Sequence, residues 1–167
     1  MFLRPACLLL ATLALSACFS SPPDVKAIEP AEWAGVLEDY RGTPLVVNVW
    51  ANWCRSCVEF LPGFAALPGR DEYSNVEFVS VVVEDPADAP ALAEAKRLVL
   101  ELDARFPHFA IQAGVEETLG LLGVNDLPVL LIYDAEGRPR RRIEADAFDG
   151  EMRLEDLEDA LDSVLAK

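Results

Sequence analysis

Two apolar, β-branched runs, LVVNVWA (residues 45–51) and VEFVSVVVED (76–85), bracket a segment of helical periodicity. Neither run alternates polar with apolar, which is the pattern of strands buried on both faces in a parallel sheet. Between them, CRSCVEFLPGFAALPG places Cys54, Cys57, Phe60 or Leu61, and Phe64 on one helical face. Pro62 predicts a kink there and Pro68-Gly69 a stop. A strand–helix–strand unit closes through a right-handed crossover, so the centre of the fold is α/β.

The remaining segments extend that plan. PAEWAGVLEDY (30–40) and DPADAPALAEAKRLVLELDARF (85–106) read as helices, the second with Ala91, Leu92, Ala95, Leu98, Val99 and Leu102 on its apolar face. FPHFAIQ (106–112) reads as an edge strand or a loop, and GVEETLGLLGV as a short helix closed by Gly123. LPVLLIYDAEGRPRRRIEA turns at Ala135-Glu136-Gly137 as a β-hairpin, and Leu154, Leu157, Leu161 and Val164 or Leu165 line a last amphipathic helix. The expected fold is a mixed central sheet with helices on both faces. The 167 residues suffice for one domain with a real core.

The N-terminus reads as an address. MFLR carries one positive charge, and PACLLLATLAL is too short for a bilayer-spanning helix, so a secretion signal fits. Leu15-Ser16-Ala17-Cys18 resembles the bacterial lipobox, which makes residues 1–17 the signal and Cys18 the lipid-bearing first residue. Ordinary cleavage after Ser16 is the plainer alternative. FSSPPDVKAIEP (19–30) then reads as a flexible tether (18–30), followed by the domain proper (31–167). Phe19, where an inner-membrane retention signal often has Asp, leans towards the outer membrane. The formal charge of −15 argues against nucleic acid as a partner and otherwise serves solubility.

Of the four cysteines, Cys7 leaves with the signal and Cys18 takes the lipid, so Cys54 and Cys57 remain. As a bridge this pair closes too short a loop to remove much unfolded-state entropy, so a structural role is poor. Its uses are redox exchange or metal binding. Cys54 falls at a helix N-terminus, where free N–H groups and the helix dipole favour a thiolate. Cys57, one turn further in, is placed to resolve a mixed disulfide formed at Cys54.

VVNVWANWCRSC followed by GVNDLPVLLIYDAEGRP resembles the thioredoxin superfamily, and within it the exported TlpA/ResA-like thiol–disulfide proteins. The resemblance runs from about Glu32 to Leu165 and implies a thioredoxin-like fold. It implies that Trp53 packs beside the reactive cysteine, that Pro128 is cis and faces the pair, and that Leu127 offers its backbone to a docked peptide. Pro62 matches the proline of the active-site helix. Asn48 stands where cytosolic thioredoxins have a buried Asp, and it cannot take a proton from Cys57. Glu59 lies one residue short of a glutamate common in these relatives; a one-residue shift turns a helical side chain by about 100°, so Glu59 reads first as a surface or partly buried acid, with a proton relay as the alternative. Arg55-Ser56 matches none of the common pairs between the cysteines. A cation beside Cys54 makes the disulfide more oxidising than thioredoxin's.

The resemblance implies an exported thiol–disulfide oxidoreductase that acts on cysteine-containing exported proteins, apocytochrome c among them, most often as a reductant. It implies recharging by a membrane electron donor of the DsbD/CcdA kind and no bound cofactor. Three alternatives stand beside it. One is a disulfide oxidase on the same fold. Another is a Cu(I) chaperone using Cys54, Cys57 and His108, since soft thiolates suit that ion. The third, a peroxidase-like redoxin, lacks its T-x-x-C context here. His108, the only histidine, reads as a loop or partly buried residue, and Asp126 as a turn former or, beside the Leu127–Pro128 loop, a substrate contact. Arg138 and Arg140 to Arg142 read as a solvated basic cluster, with a docking patch for an acidic partner as the alternative.

Overall fold

In a computed structural model, residues 22–145 and 152–165 are described; the leader, Cys7 and Cys18 lie outside them. Chain order is β1 (Val25–Ile28), α1 (Trp33–Asp39), β2 (Leu45–Trp50), α2 (Arg55–Ala65), β3 (Glu77–Val82), α3 (Ala89–Glu101) and β4 (His108–Ile111). Then come α4 (Val115–Leu122), β5 (Val129–Tyr133), β6 (Pro139–Glu144) and α5 (Leu154–Leu165). The six strands form one sheet in the order β1-β4-β3-β2-β5-β6. The first four in that order are mutually parallel, while β5 runs antiparallel to β2 and β6 antiparallel to β5. This is the thioredoxin-like α/β fold expected from the sequence.

Stepping from β2 to β3 to β4 in one direction, right-handed crossovers put α2 and α3 on the same face. That face packs Val46 and Trp50 of β2 and Phe78 of β3 against Phe60, Leu61 and Phe64 of α2, with Leu157 and Leu161 of α5. Phe64 meets Phe78 and Phe106 edge-on at centroid distances of 5.8 and 5.4 Å. The opposite face packs Val47, Val49, Val79 and Val81 against Trp33 and Val36 of α1 and Leu122 of α4. Burying each such side chain contributes roughly 1.5–3 kcal/mol, so a layer on each face is what holds β2 in the middle. Gly123 caps α4 at φ +66°, and Gly137 turns the β5–β6 hairpin at φ +74°, both in the left-handed region that glycine enters without strain.

Two expectations are corrected together. Val25–Ile28, within the segment read as tether, is a strand paired in parallel with β4, with Val25 and Ile28 buried. Asp24 holds its start through an ion pair to Lys96 of α3 at 3.2 Å. With β1 covering its edge, β4 is an interior strand rather than an edge or loop, and His108 is 1% exposed.

Candidate redox site

Cys54 is the N-cap of α2 and Cys57 lies in its first turn. The continuous β2 ends at Trp50, and the short loop 51–53 delivers Cys54 at the C-terminal end of the parallel strands, where helix N-termini gather. The two sulfurs are bonded, with Cα atoms 5.2 Å apart. Cys54 Sγ accepts a hydrogen bond from the Cys57 backbone N–H at 3.3 Å. Cys57 is fully buried while Cys54 is partly exposed. A backbone N–H at a helix N-terminus directed at this sulfur is the kind of donor that favours an anion there.

A cleft of about 550 Å³ opens beside the pair. Trp53, 58% exposed, forms one wall, and Leu119, Asp126 and Leu127 form another. The Leu127–Pro128 peptide is cis, as the resemblance implied. Asp126 sits exposed on the rim. The cleft is mixed in character, with Trp53, Leu119 and Leu127 apolar and Arg55, Ser56, Glu59, Asn125 and Asp126 polar around the partly exposed Cys54.

The tuning residues fall differently. Arg55 lies in the cleft wall, but its Nε donates to Glu59 Oε1 at 2.8 Å, so its charge is shared with a carboxylate one turn away. Of the surface and partly buried placements expected for Glu59, the exposed one is found. Ser56 Oγ lies 3.6 Å from Cys54 Sγ. Asn48 is 1% exposed on β2, and its side-chain amide makes no hydrogen bond among the described residues. α2 continues through Pro62. Arg138, Arg140 and Arg142 are all tied into ion pairs with Asp134, Glu136 or Glu144 on or beside the hairpin.

His108 is not a third partner for the cysteines. Its Nε2 meets the Ala104 carbonyl at 2.9 Å and its Nδ1 meets Ser80 Oγ at 2.6 Å. A carbonyl only accepts, so Nε2 carries the proton and Nδ1 accepts from the Ser80 hydroxyl. Ser80 Oγ in turn accepts from Trp50 Nε1 at 3.3 Å, which completes a buried chain across three strands. Burial pushes the His108 pKa below its ordinary value, against a smaller upward pull from the Ala104 bond. Among the described residues no group of three His, Cys, Asp or Glu is placed to hold a metal.

Sequence reasoning missed one residue at this end of the sheet. Glu84, just past β3, is 5% exposed, and its Oε1 accepts the Asn52 backbone N–H at 2.7 Å. Burial raises its pKa, offset in part by that bond, with Asp88 adding repulsion. Its only sequence signal is an acid at the end of an apolar strand.

Residues 23–141, well over half of the chain, match the AhpC/TSA family. The chain belongs to the AhpC/TSA family. Within this family setting it is 29% identical over 128 residues to the thiol-disulfide oxidoreductase ResA of Bacillus thuringiensis subsp. konkukian, which spans 77% of this chain and 67% of that protein. A thiol-disulfide isomerase of Corynebacterium glutamicum superposes with a TM-score of 0.63 at 23% identity, covering 78% of this chain and 85% of that one. The exposed lipoprotein thioredoxin of Streptococcus pneumoniae superposes with a TM-score of 0.58 at 21% identity, covering 76% and 89%. A C-x-x-C pair closed as a disulfide at a helix N-terminus is the thiol–disulfide oxidoreductase centre of this AhpC/TSA chain.

Proposed function

We propose that this chain is an exported, lipid-anchored oxidoreductase that reduces disulfides in other exported proteins. The observation that carries the reading is the asymmetry of the pair: Cys54 is partly exposed and lines a cleft of about 550 Å³, and Cys57 is fully buried. In one turnover the Cys54 thiolate attacks a substrate disulfide, releasing one substrate thiolate and forming a mixed disulfide. Cys57 then attacks Cys54 Sγ, releasing the second substrate thiol and leaving Cys54–Cys57 oxidised. Two electrons pass to the substrate, and a membrane thiol donor of the DsbD/CcdA kind restores the dithiol.

Export and anchoring rest on the leader and Cys18, and the name of the pneumococcal relative is in keeping with them. The six residues 19–24 between Cys18 and β1 span at most about 20 Å. Because β1 is parallel to β2, residues before Val25 lead away from the strand ends that carry Cys54. A short tether of this kind turns the cleft away from the lipid surface, towards soluble exported substrates such as apocytochrome c.

Trapping the thiols in intact cells tests the direction. A reductant holds Cys54 and Cys57 mainly as the dithiol and loses that state when the donor is removed; a pair that stays oxidised makes the chain an oxidase. Cys18→Ala tests the anchor, since it should move the protein to the soluble fraction with its exchange activity intact.

A further inference from the structure

Glu84 is a buried carboxylate that the exchange chemistry does not use. It caps the end of β3 beside the loop that delivers Cys54, and its hydrogen-bond partner there is the main chain of that loop. A carboxylate held out of water is costly unless it makes strong bonds, and a charge-assisted bond to an N–H is one of the stronger kinds. The Asn52 side chain extends the same anchorage: its Nδ2 donates to the Ala91 carbonyl in the first turn of α3 at 2.7 Å. The neighbouring ladder contact, Val83 N–H to the Trp50 carbonyl at 2.8 Å, ends just before the loop. Glu84 and Asn52 therefore take over where the sheet stops.

We propose that Glu84 is a positioning residue: through the Asn52 N–H it holds Cys54 within reach of Cys57 when the disulfide is open. The proposal rests on the reading of Cys54–Cys57 as a redox couple. In the oxidised protein the bond between the sulfurs fixes Cys54 whatever the loop does. Once the bond opens, Cys57 stays within α2, fully buried, while Cys54, as the N-cap, joins the loop to the helix. Its remaining local ties are its N–H to the Ala51 carbonyl at 3.3 Å, the Val58 N–H to its own carbonyl at 3.1 Å, and the Cys57 N–H to its sulfur at 3.3 Å. The Glu84 bond is short by comparison. Freedom gained by the loop is gained mostly by the reduced form, so a loosened anchor lowers the effective concentration of one thiol at the other.

The test is the equilibrium of the full-length chain with glutathione: protein dithiol plus glutathione disulfide gives protein disulfide plus two glutathione thiols, two electrons and two protons moving together. Glu84→Met keeps the length of the side chain and removes the acceptor. It is expected to shift the equilibrium constant about fivefold towards the dithiol. Glu84→Gln keeps an acceptor oxygen and removes the charge, and it should stay within about twofold of the parent. Amide exchange of Asn52 supplies the second readout, with protection lost in Glu84→Met, most of all in the reduced form, and kept in Glu84→Gln. A purely structural role would weaken the oxidised and reduced forms equally and leave the equilibrium constant unmoved, which overturns the proposal. A shift in Glu84→Gln as large as that in Glu84→Met also overturns it, because the charge and not the bond would then be responsible. If the parent chain itself fails to equilibrate with glutathione, the redox reading fails instead.

Discussion

Asn48 on β2 and Ser80 on β3 are register partners in the parallel ladder, yet they meet opposite fates. Ser80 is bonded on both sides, to Trp50 and to His108, while the Asn48 amide beside it has no partner among the described residues. An unmet buried polar group costs about 1–3 kcal/mol. Asn48→Leu keeps the branched outline and removes that cost. It should raise stability to urea by about 1 kcal/mol, and a loss of similar size would show that the amide contributes to folding.

The Trp50–Ser80–His108 chain makes a prediction about acid. The His108 pKa is lowered in the folded state, so the unfolded chain binds the proton more tightly. Above the ordinary value of 6.5 both states are neutral at this group; as pH falls below it, stability is lost until the folded pKa is passed. Glu84 acts with the opposite sign, since its raised pKa lets the folded state take up a proton first and gain stability as pH falls towards 4.5. His108→Gln should therefore be less stable at neutral pH and show a smaller fall on mild acidification, measured by thermal unfolding across the pH range.

Cys54 and Cys57 should differ sharply in reactivity. Cys54 is the N-cap of α2 and partly exposed, whereas Cys57 is fully buried. Alkylation followed by mass spectrometry should modify Cys54 first, with a pH midpoint below the ordinary thiol value of about 8.5. Cys57→Ser should accumulate a mixed disulfide on Cys54.

The Arg55–Glu59 pair limits how strongly Arg55 tunes the thiol. The pair is exposed, so solvent screening leaves it little weight in stability. Glu59→Gln frees the guanidinium and should lower the pH midpoint for Cys54 alkylation, while Arg55→Ala should raise it. Unchanged midpoints in both variants would show that the cation is too well screened to matter.

Much of this site was readable before any coordinates, because its signals are local. The cysteines open a helix behind a fully apolar strand, and Gly137 turns the hairpin where the apolar and charged runs divide. Pro128 was placed by resemblance rather than by periodicity. The errors share one non-local cause. VKAI is four residues between Pro23 and Pro30, and only its pairing with β4 makes it a strand. Without β1, β4 looks like an edge and His108 looks half-exposed; with it, both are interior. Glu84 was illegible for a similar reason, since its burial depends on where the 51–53 loop and α3 meet the end of β3.

The most direct test of the central claim is a redox titration of the full-length protein in glutathione buffers, with the Cys54–Cys57 state read by thiol trapping. The account predicts one two-electron transition, abolished in Cys54→Ser, with the glutathione adduct captured on Cys54 in Cys57→Ser. Absence of any transition, or disulfide-exchange activity that survives Cys54→Ser in a protein retaining stoichiometric copper, would contradict it.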